Sequence, residues 1–351
     1  MREREKIFLL YNWVCDESHW IPQKLKKRGY NVEIVDLSHK SVQQRGSKFF
    51  RLLNIFSSFK ISFNCIKRAR EKDIIISMTS TPGITSALIL NILKRKYKIK
   101  IIALNLLAHW GSSNHMIEKI RDLFYMIAFK YPYLWSTVNV KTDIDLYSKN
   151  FCVDKERFFL LPDAIENMKS IKMSQSKEEY IFAGGMSERD WDCIVKCAIQ
   201  LKKYKFVVVA NKHDWSDKYP QLDNLQVYHN ITLKEFNKLL YDSKVVVLPL
   251  KSEGTAGLMV LFEALRNKKM VIATETEAIK NFISPQHRSN VLYQIHNDKM
   301  LSEQIDTVYK MNKEQYEYCV NGLIEYIYNN YSEEIYLNRV EEMIKDISSV
   351  L

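Results

Sequence analysis

The sequence predicts an α/β protein made of two doubly wound, Rossmann-like domains that face a cleft. Three observations lead there. Short apolar runs of the fully buried kind alternate with amphipathic stretches through most of the 351 residues. That alternation is the mark of parallel sheets covered by helices on both faces. The scheme runs through once, meets the polar stretch 167–178, and runs through again. At about 150 residues per domain, the length fits two such units. Composition agrees: 46% apolar and 26% charged residues, with nine Gly and seven Pro, exclude a disordered, collagen-like or linker-like chain.

In chain order, strands are predicted at KIFLLYN (6–12), NVEIVDL (31–37), DIIISMT (73–79), IKIIALNLL (99–107) and TVNVKT (137–142). Helices are predicted between them at 18–28, 47–70, 83–96 and 114–130. The second half gives strands YIFAGG (180–185), KFVVVAN (205–211), LQVYHN (225–230), KVVVLPL (244–250) and KMVIAT (269–274). Its helices are predicted at 189–203, 233–241, 257–267 and 300–329. Thr81-Pro82-Gly83 has the hydroxyl and proline of a helix start. In sheets of this class ligands bind beyond the carboxyl ends of the strands. The segments to inspect are therefore 12–20, 79–85, 109–114, 184–191, 211–215, 251–257 and 274–279.

The net charge of +11 is concentrated at one end. Residues 1–100 carry 21 Lys and Arg against 8 Asp and Glu. The densest stretches are Lys67-Arg68-Ala69-Arg70 and 94–100, and the first closes the apolar run FFRLLNIFSSFKISFNCIKRAR (49–70). A basic helix with Phe and Leu on its other face suits an anionic membrane surface, or else forms a core helix with a solvated lysine face. No zinc-finger or aromatic RNA-binding pattern supports a nucleic acid. No window is long and apolar enough for a membrane span. The short run IFLLYNWVC lacks a cleavage site, so no signal peptide is expected. The six cysteines follow no disulfide or metal spacing and are read as reduced thiols of a cytoplasmic protein, with no metal site.

The most informative stretch is VVVLPLKSEGTAGLMVLFEALRNKKMVIATETEAIKNFI (245–283). A buried strand runs into a polar loop, Lys251 to Gly257, and a helix starts near Gly257. Backbone N–H groups and a helix N-terminus then meet at one point, an arrangement that binds a diphosphate. Lys251 adds charge. Glu263, about two turns into the helix, has the chemistry to accept hydrogen bonds from a ribose diol. An ordinary crossover loop with a surface glutamate is the plain alternative.

At these residues the chain resembles nucleotide-sugar-dependent glycosyltransferases of the two-domain GT-B type, especially family 4 (glycosyl transferases group 1). The likeness lies in Glu263-Ala264-Leu265 and in the strand Lys269 to Thr274. It implies that Glu263 holds the donor ribose and that Gly257 and Leu258 lie beside the diphosphate. The family carries a first Glu eight residues before the second. Here Thr255 stands at that spacing and Glu253 two residues earlier, so either Glu253 or Thr255 serves the sugar. FFLLPDAIE (158–166) resembles the interdomain segment, and YIFAGGMSERDWDCIVKCAIQL (180–201) the first strand, loop and helix of the donor domain. There Gly184 and Gly185 approach the donor, Gly185 stands where the family commonly has Arg, and Arg189 is the nearby cation for phosphate. His109 lies near a position where related enzymes place a His on the donor sugar. His109 and Glu253 are the expected catalytic residues. Trp13, Trp20 and Trp110 sit at strand ends, where they can stack on a sugar.

The expected organisation is an acceptor-side domain, 1–166, to which a C-terminal helix at 332–351 returns, and a donor domain, 167–331. The resemblance implies a hexosyltransferase, retaining in mechanism, that uses a nucleotide-diphosphate sugar, UDP-linked by preference. It needs no cofactor. The acceptor is expected to be a glycan or a lipid-linked molecule, as in bacterial-type surface polysaccharide assembly, with the basic first domain on the inner membrane leaflet. The departures from the family pattern leave a second reading, an inactive GT-B-like scaffold or binding subunit.

Overall fold

The computed structural model describes residues 5–15, 19–37, 48–93, 98–106, 115–166, 179–215 and 218–349. The chain divides into two units, 1–163 with 336–351, and 164–335.

In the first unit the elements alternate: β1 (Lys6–Leu10), α1 (Trp20–Lys27), β2 (Asn31–Val35), α2 (Lys48–Arg68), β3 (Ile74–Ser77), α3 (Ser80–Leu93), β4 (Lys100–Ala103), α4 (His115–Phe129), β5 (Leu134–Val138), α5 (Lys141–Phe151) and β6 (Phe158–Leu160). The strands form one parallel sheet in the order β2-β1-β3-β4-β5-β6. The central strand β3, IIIS, is buried along its whole length because helices cover both faces. The edge strand β2 has only its last residue buried. Predicted strands are longer than observed ones because the residues past each carboxyl end turn into loops. The segment 137–142 divides: Thr137 and Val138 close β5, and Lys141 opens α5. β5 begins earlier, where Leu134 and Trp135 pair with Ile101 and Ile102.

α3 enters tightly. Ser62 Oγ on α2 donates to Pro82 O at 2.8 Å, and Thr85 Oγ1 donates to the same oxygen at 3.0 Å. Gly83 lets this turn lie on the sheet. A Cβ there would stand 2.5 Å from Ser77 Oγ and 2.6 Å from Ala103 Cβ. The long last helix, α14 (Glu333–Ser349), belongs to this unit from Tyr336 onward. It is fixed by Arg28–Glu341 (2.6 Å), by an edge-on contact of Trp20 with Tyr336, and by Lys100 Nζ donating to Ser348 O at 3.2 Å.

The second unit holds β7 (Tyr180–Gly184), α6 (Trp191–Gln200), β8 (Lys205–Val209), α7 (Lys212–Trp215), β9 (Leu225–Tyr228), α8 (Leu233–Asp242), β10 (Val245–Leu248), α9 (Leu258–Arg266), β11 (Met270–Thr274), α10 (Glu277–Asn281), α11 (Arg288–Val291), β12 (Leu292–Tyr293), α12 (Asp298–Lys310) and α13 (Lys313–Tyr331). Its sheet is also parallel and doubly wound, ordered β12-β11-β10-β7-β8-β9. The helix predicted at 300–329 is two helices. Asn312 and Gln315 form a reciprocal capping box that starts α13 afresh after α12. The unit begins at 164, three residues before the predicted 167, because Ile165 N donates to Tyr331 O at 2.8 Å and pairs with Ser332. The predicted hinge, 167–178, lies outside the described residues. Among the described residues no helix is long and apolar enough to cross a membrane.

Replacing Gly83 by Ala is expected to destabilise the first unit by about 1–3 kcal/mol through overpacking. Denaturant unfolding followed by circular dichroism measures it.

Candidate functional site

The strand order of the second sheet reverses between β10 and β7. Such a switch point sends the two following loops to opposite faces and opens a crevice at the carboxyl ends of the strands. The loops concerned are 185–190 and 249–257, the two on which the sequence motifs fall.

They are fastened together. Arg189 pairs antiparallel with Leu250. Asp190 N donates to Pro249 O at 2.8 Å and Lys251 N to Glu188 O at 3.2 Å. Ser252 Oγ donates to the Glu188 carboxylate at 2.8 Å, and Lys251 Nζ stands 3.9 Å from it. Thr274, at the end of β11, accepts from Leu250 N at 2.8 Å and donates to Leu248 O, which fixes where the second loop leaves the sheet.

Gly185 has φ 137°, a conformation that favours glycine. The Arg189 side chain lies in the space that a Cβ would need, with Cζ 2.6 Å from that position. Arg189 Nε donates to Gly184 O at 3.1 Å and Nη1 to Ser187 O at 2.7 Å. A guanidinium has five N–H donors, so three remain. Among the described residues no carboxylate forms an ion pair with it, although Glu188 and Asp192 are the neighbours in sequence. Burial lowers its pKa to about 10, which leaves it a cation at neutral pH. Gly184 has a packing reason as well: a Cβ would meet the rings of Phe182 and Phe236.

On the other side of the crevice, Gly257 begins α9 at φ 90° and no side chain caps the helix. The first helical bond is Leu261 N to Gly257 O, 2.9 Å. The amides before it have no intrahelical partner and, with the helix dipole, form an anion site. Thr255 is half-buried and its hydroxyl has no partner among the described residues. Leu258 is buried, whereas Met259 is exposed.

Glu263 sits one turn further along, on the same face of α9 as Met259. At 1.5 Å per residue the two are roughly 6 Å apart. Its carboxylate accepts from Tyr241 Oη, from Asn267 Nδ2 at 3.2 Å and from Arg266 Nη1 at 3.0 Å. Burial and this carboxylate push the Tyr241 phenol up to about 12. Glu253 stands apart from Glu263: its Oε2 accepts from Glu277 N at 3.0 Å, at the start of α10. His109 lies outside the described residues. Among the described residues no cluster of three or more His, Cys, Asp or Glu is placed to hold a metal.

Two residues of this region escaped the sequence reading. Tyr241 comes from α8, where tyrosine reads as core. His296 takes φ 61° and its Nδ1 lies 2.5 Å from Asp190 Oδ2, the carboxylate whose other oxygen caps α6 through Cys193 N. No pattern in the chain announces His296. In the first unit, His19 does what a structural histidine does: its Nδ1 accepts from Ile21 N at 3.4 Å and caps α1.

Residues 161–323, which hold both loops, match the sequence model of the family described as Glycosyl transferases group 1. The match covers most of the second unit. Solved structures share the fold, with two Rossmann-like units. A glycosyltransferase from Rickettsia africae ESF-5 superposes with a TM-score of 0.67 at 14% identity, over 99% of this chain and 100% of that one. An E. coli structure described as trehalose-6-phosphate bound with UDP-2-fluoro glucose gives 0.68 at 12% identity, over 99% and 100%. Anabaena Alr3699/HepE, in complex with UDP and glucose, gives 0.60 at 11% identity, again over 99% and 100%. No curated relative matches in sequence.

Gly185→Ala is expected to destabilise the donor-side loop, because it adds a Cβ at a positive φ and displaces the Arg189 side chain. A lower melting temperature together with faster proteolysis between residues 184 and 190 would register it. Asp163, near the end of the first unit, gives a pH test. Burial raises its carboxyl to about 6, above the unfolded value, so the folded state holds the extra proton. Stability is therefore expected to fall as pH rises from about 4 to 6. Asp163→Asn should remove that decline, as melting curves across this range will show.

Proposed function

We propose that the protein is a glycosyltransferase that takes a sugar from a nucleotide-diphosphate donor, UDP-linked by preference, and retains the anomeric configuration. One arrangement carries the reading: Arg189 folded over Gly185 on one side of the switch point, and the uncapped start of α9 with Lys251 on the other. A diphosphate placed there meets three free guanidinium donors and a helix dipole. In the transfer the acceptor hydroxyl bonds to the anomeric carbon, the bond from that carbon to the diphosphate breaks, and the hydroxyl proton passes to the leaving phosphate. The negative charge that develops on the diphosphate is what Arg189 and the α9 amides stabilise. The Met259–Glu263 spacing lets a ribose diol reach Glu263 while the diphosphate stays at the helix start. The neighbours described with UDP, or with UDP-2-fluoro glucose, favour uridine. Thr255 and Glu253 remain the residues proposed to meet the donor sugar, with Thr255 the better placed of the two, since Glu253 already serves α10. His109 is proposed to act on the same sugar.

The acceptor is proposed to be a glycan or lipid-linked molecule at the cytoplasmic face of a membrane, with the first unit docked on anionic lipid. The support is an apolar surface on three adjacent helices. α2 exposes Ile55, Phe56, Phe59 and Phe63; α3 exposes Ile92 and Leu93; α4 exposes Ile120, Leu123 and Phe124. Phe56 is 64% exposed and Leu123 55%. Lys67 Nζ lies 4.5 Å from the Phe63 ring centre, so cations border the apolar face. Part of the basic stretch at 94–100 lies outside the described residues.

A thermal-shift panel of UDP, GDP, CMP, ADP and dTDP tests the donor site. A shift with UDP is expected, and no shift with any nucleotide would favour the binding-subunit reading. Glu263→Ala is expected to weaken UDP binding about 10- to 100-fold, since it removes charge-assisted hydrogen bonds. Arg189→Ala is expected to lower kcat about 100- to 1,000-fold. For docking, Phe56→Glu with Phe59→Glu should abolish co-flotation with anionic vesicles at low salt while leaving UDP affinity unchanged.

A further inference from the structure

His296 stands where a turn favours glycine or asparagine. Asn297 N donates to Gln294 O at 3.1 Å, which closes a turn between β12 and α12. His296 is the third residue of that turn and takes φ 61°. A positive φ at this place is the usual reason to find glycine or asparagine there. The imidazole is not needed as core filling, because it is 63% exposed. What it does reach is the Asp190 carboxylate, which is 7% exposed, with Nδ1 2.5 Å from Oδ2. An exposed ring on a left-handed backbone that reaches a buried carboxylate points to a use for the bond between them.

Asp190 joins three parts of the second unit. Its backbone N–H donates to Pro249 O, at the end of β10. Its Oδ1 accepts from Cys193 N at 3.1 Å and caps α6. Its Oδ2 has His296 as its one hydrogen-bond partner among the described residues. A carboxylate this deeply buried needs a donor on each oxygen. Two residues beyond His296, the chain meets the other end of α6. Gln200 Nε2 donates to Asp298 Oδ2 at 2.8 Å, Cys197 Sγ to Asp298 O at 3.3 Å, and Lys196 Nζ stands 3.6 Å from Asp298 Oδ1. The stretch 296–298 thus holds α6 at both ends, and the end that His296 holds is the one that adjoins Arg189.

Arg189 spends its side-chain bonds inside its own loop, on Gly184 O and Ser187 O. The guanidinium therefore moves with that loop as one piece. On one side the loop is anchored by the pairing of Arg189 with Leu250. On the other it is anchored through Asp190 at His296. Without the second anchor the loop can pivot about the first. A guanidinium that pivots by about an ångström loses the directed hydrogen bonds a phosphate group needs.

We propose that His296 is a positioning residue of the donor site: by holding Asp190 Oδ2 it sets the Arg189 guanidinium against the diphosphate. The assignment rests on the donor-site reading under Proposed function. Its test is a double-mutant cycle on UDP affinity, measured on the full chain by NMR titration, which follows binding as weak as millimolar. His296→Gly removes the ring and relieves the left-handed backbone. His296→Asn keeps an N–H donor and tolerates the same φ. His296→Gly is expected to weaken UDP binding about 5- to 20-fold. His296→Asn is expected to recover most of that loss. In an Arg189→Ala background, His296→Gly is expected to change UDP affinity less than about twofold, because the residue it acts through is gone. A purely structural role predicts the same loss in both backgrounds, and that result would overturn the proposal. So would a His296→Gly variant that binds UDP as the wild type does, one that fails to fold, or an Asn variant as weak as the Gly variant. The two readings separate on the same samples. UDP bound equally by the wild type and His296→Gly removes the role of His296 alone. A wild-type chain that does not bind UDP removes the donor-site reading and the assignment with it.

Discussion

The donor end depends on one side chain lying over a glycine. Arg189 occupies the space that Gly185 leaves open, and this holds a cation against the backbone at the point where the sheet order reverses. The position is set on both sides. The antiparallel pairing of Arg189 with Leu250 ties the loop after β7 to the loop after β10, and Thr274 ties that second loop to β11. Three strands of one parallel sheet thus fix the geometry of a guanidinium and a helix start.

The same logic gives Asp190 and Glu263 their surroundings. Asp190 caps α6 with one oxygen and meets His296 with the other, so the residue next to Arg189 is held on both sides. Glu263 is braced by Tyr241, Arg266 and Asn267. A carboxylate braced in this way is held in one position. The first unit is built differently. Its outer helices carry exposed Phe and Leu. Its covering helices therefore present an apolar face.

Several features were legible in the chain. Buried β-branched runs such as IIIS and VVVL announce parallel strands, because only a strand covered on both faces is apolar at every position. Gly257 and Glu263 were legible because a loop, a helix start and a carboxylate follow one another within a dozen residues. Boundaries were less so. The break between α12 and α13 rests on a capping box that a continuous apolar period hides, and the unit boundary near 164 rests on Ile165 pairing with residues more than 160 positions away.

Sequence alone determined the fold class, the order of the elements and the loops that would meet at the donor switch point, since these follow from local periodicity and from the rule that ligands sit at the carboxyl ends of parallel strands. Tertiary structure alone decided which atoms are free to act. Glu253 is used up at the start of α10, Lys251 shares Glu188 with Ser252, and Arg189 keeps three donors unspent. Asp190 and His296 are 106 positions apart in the chain and meet only because α12 packs on α6. The reason is physical: periodicity reports which face of an element is buried, but whether a polar atom finds a partner depends on the elements that happen to lie beside it.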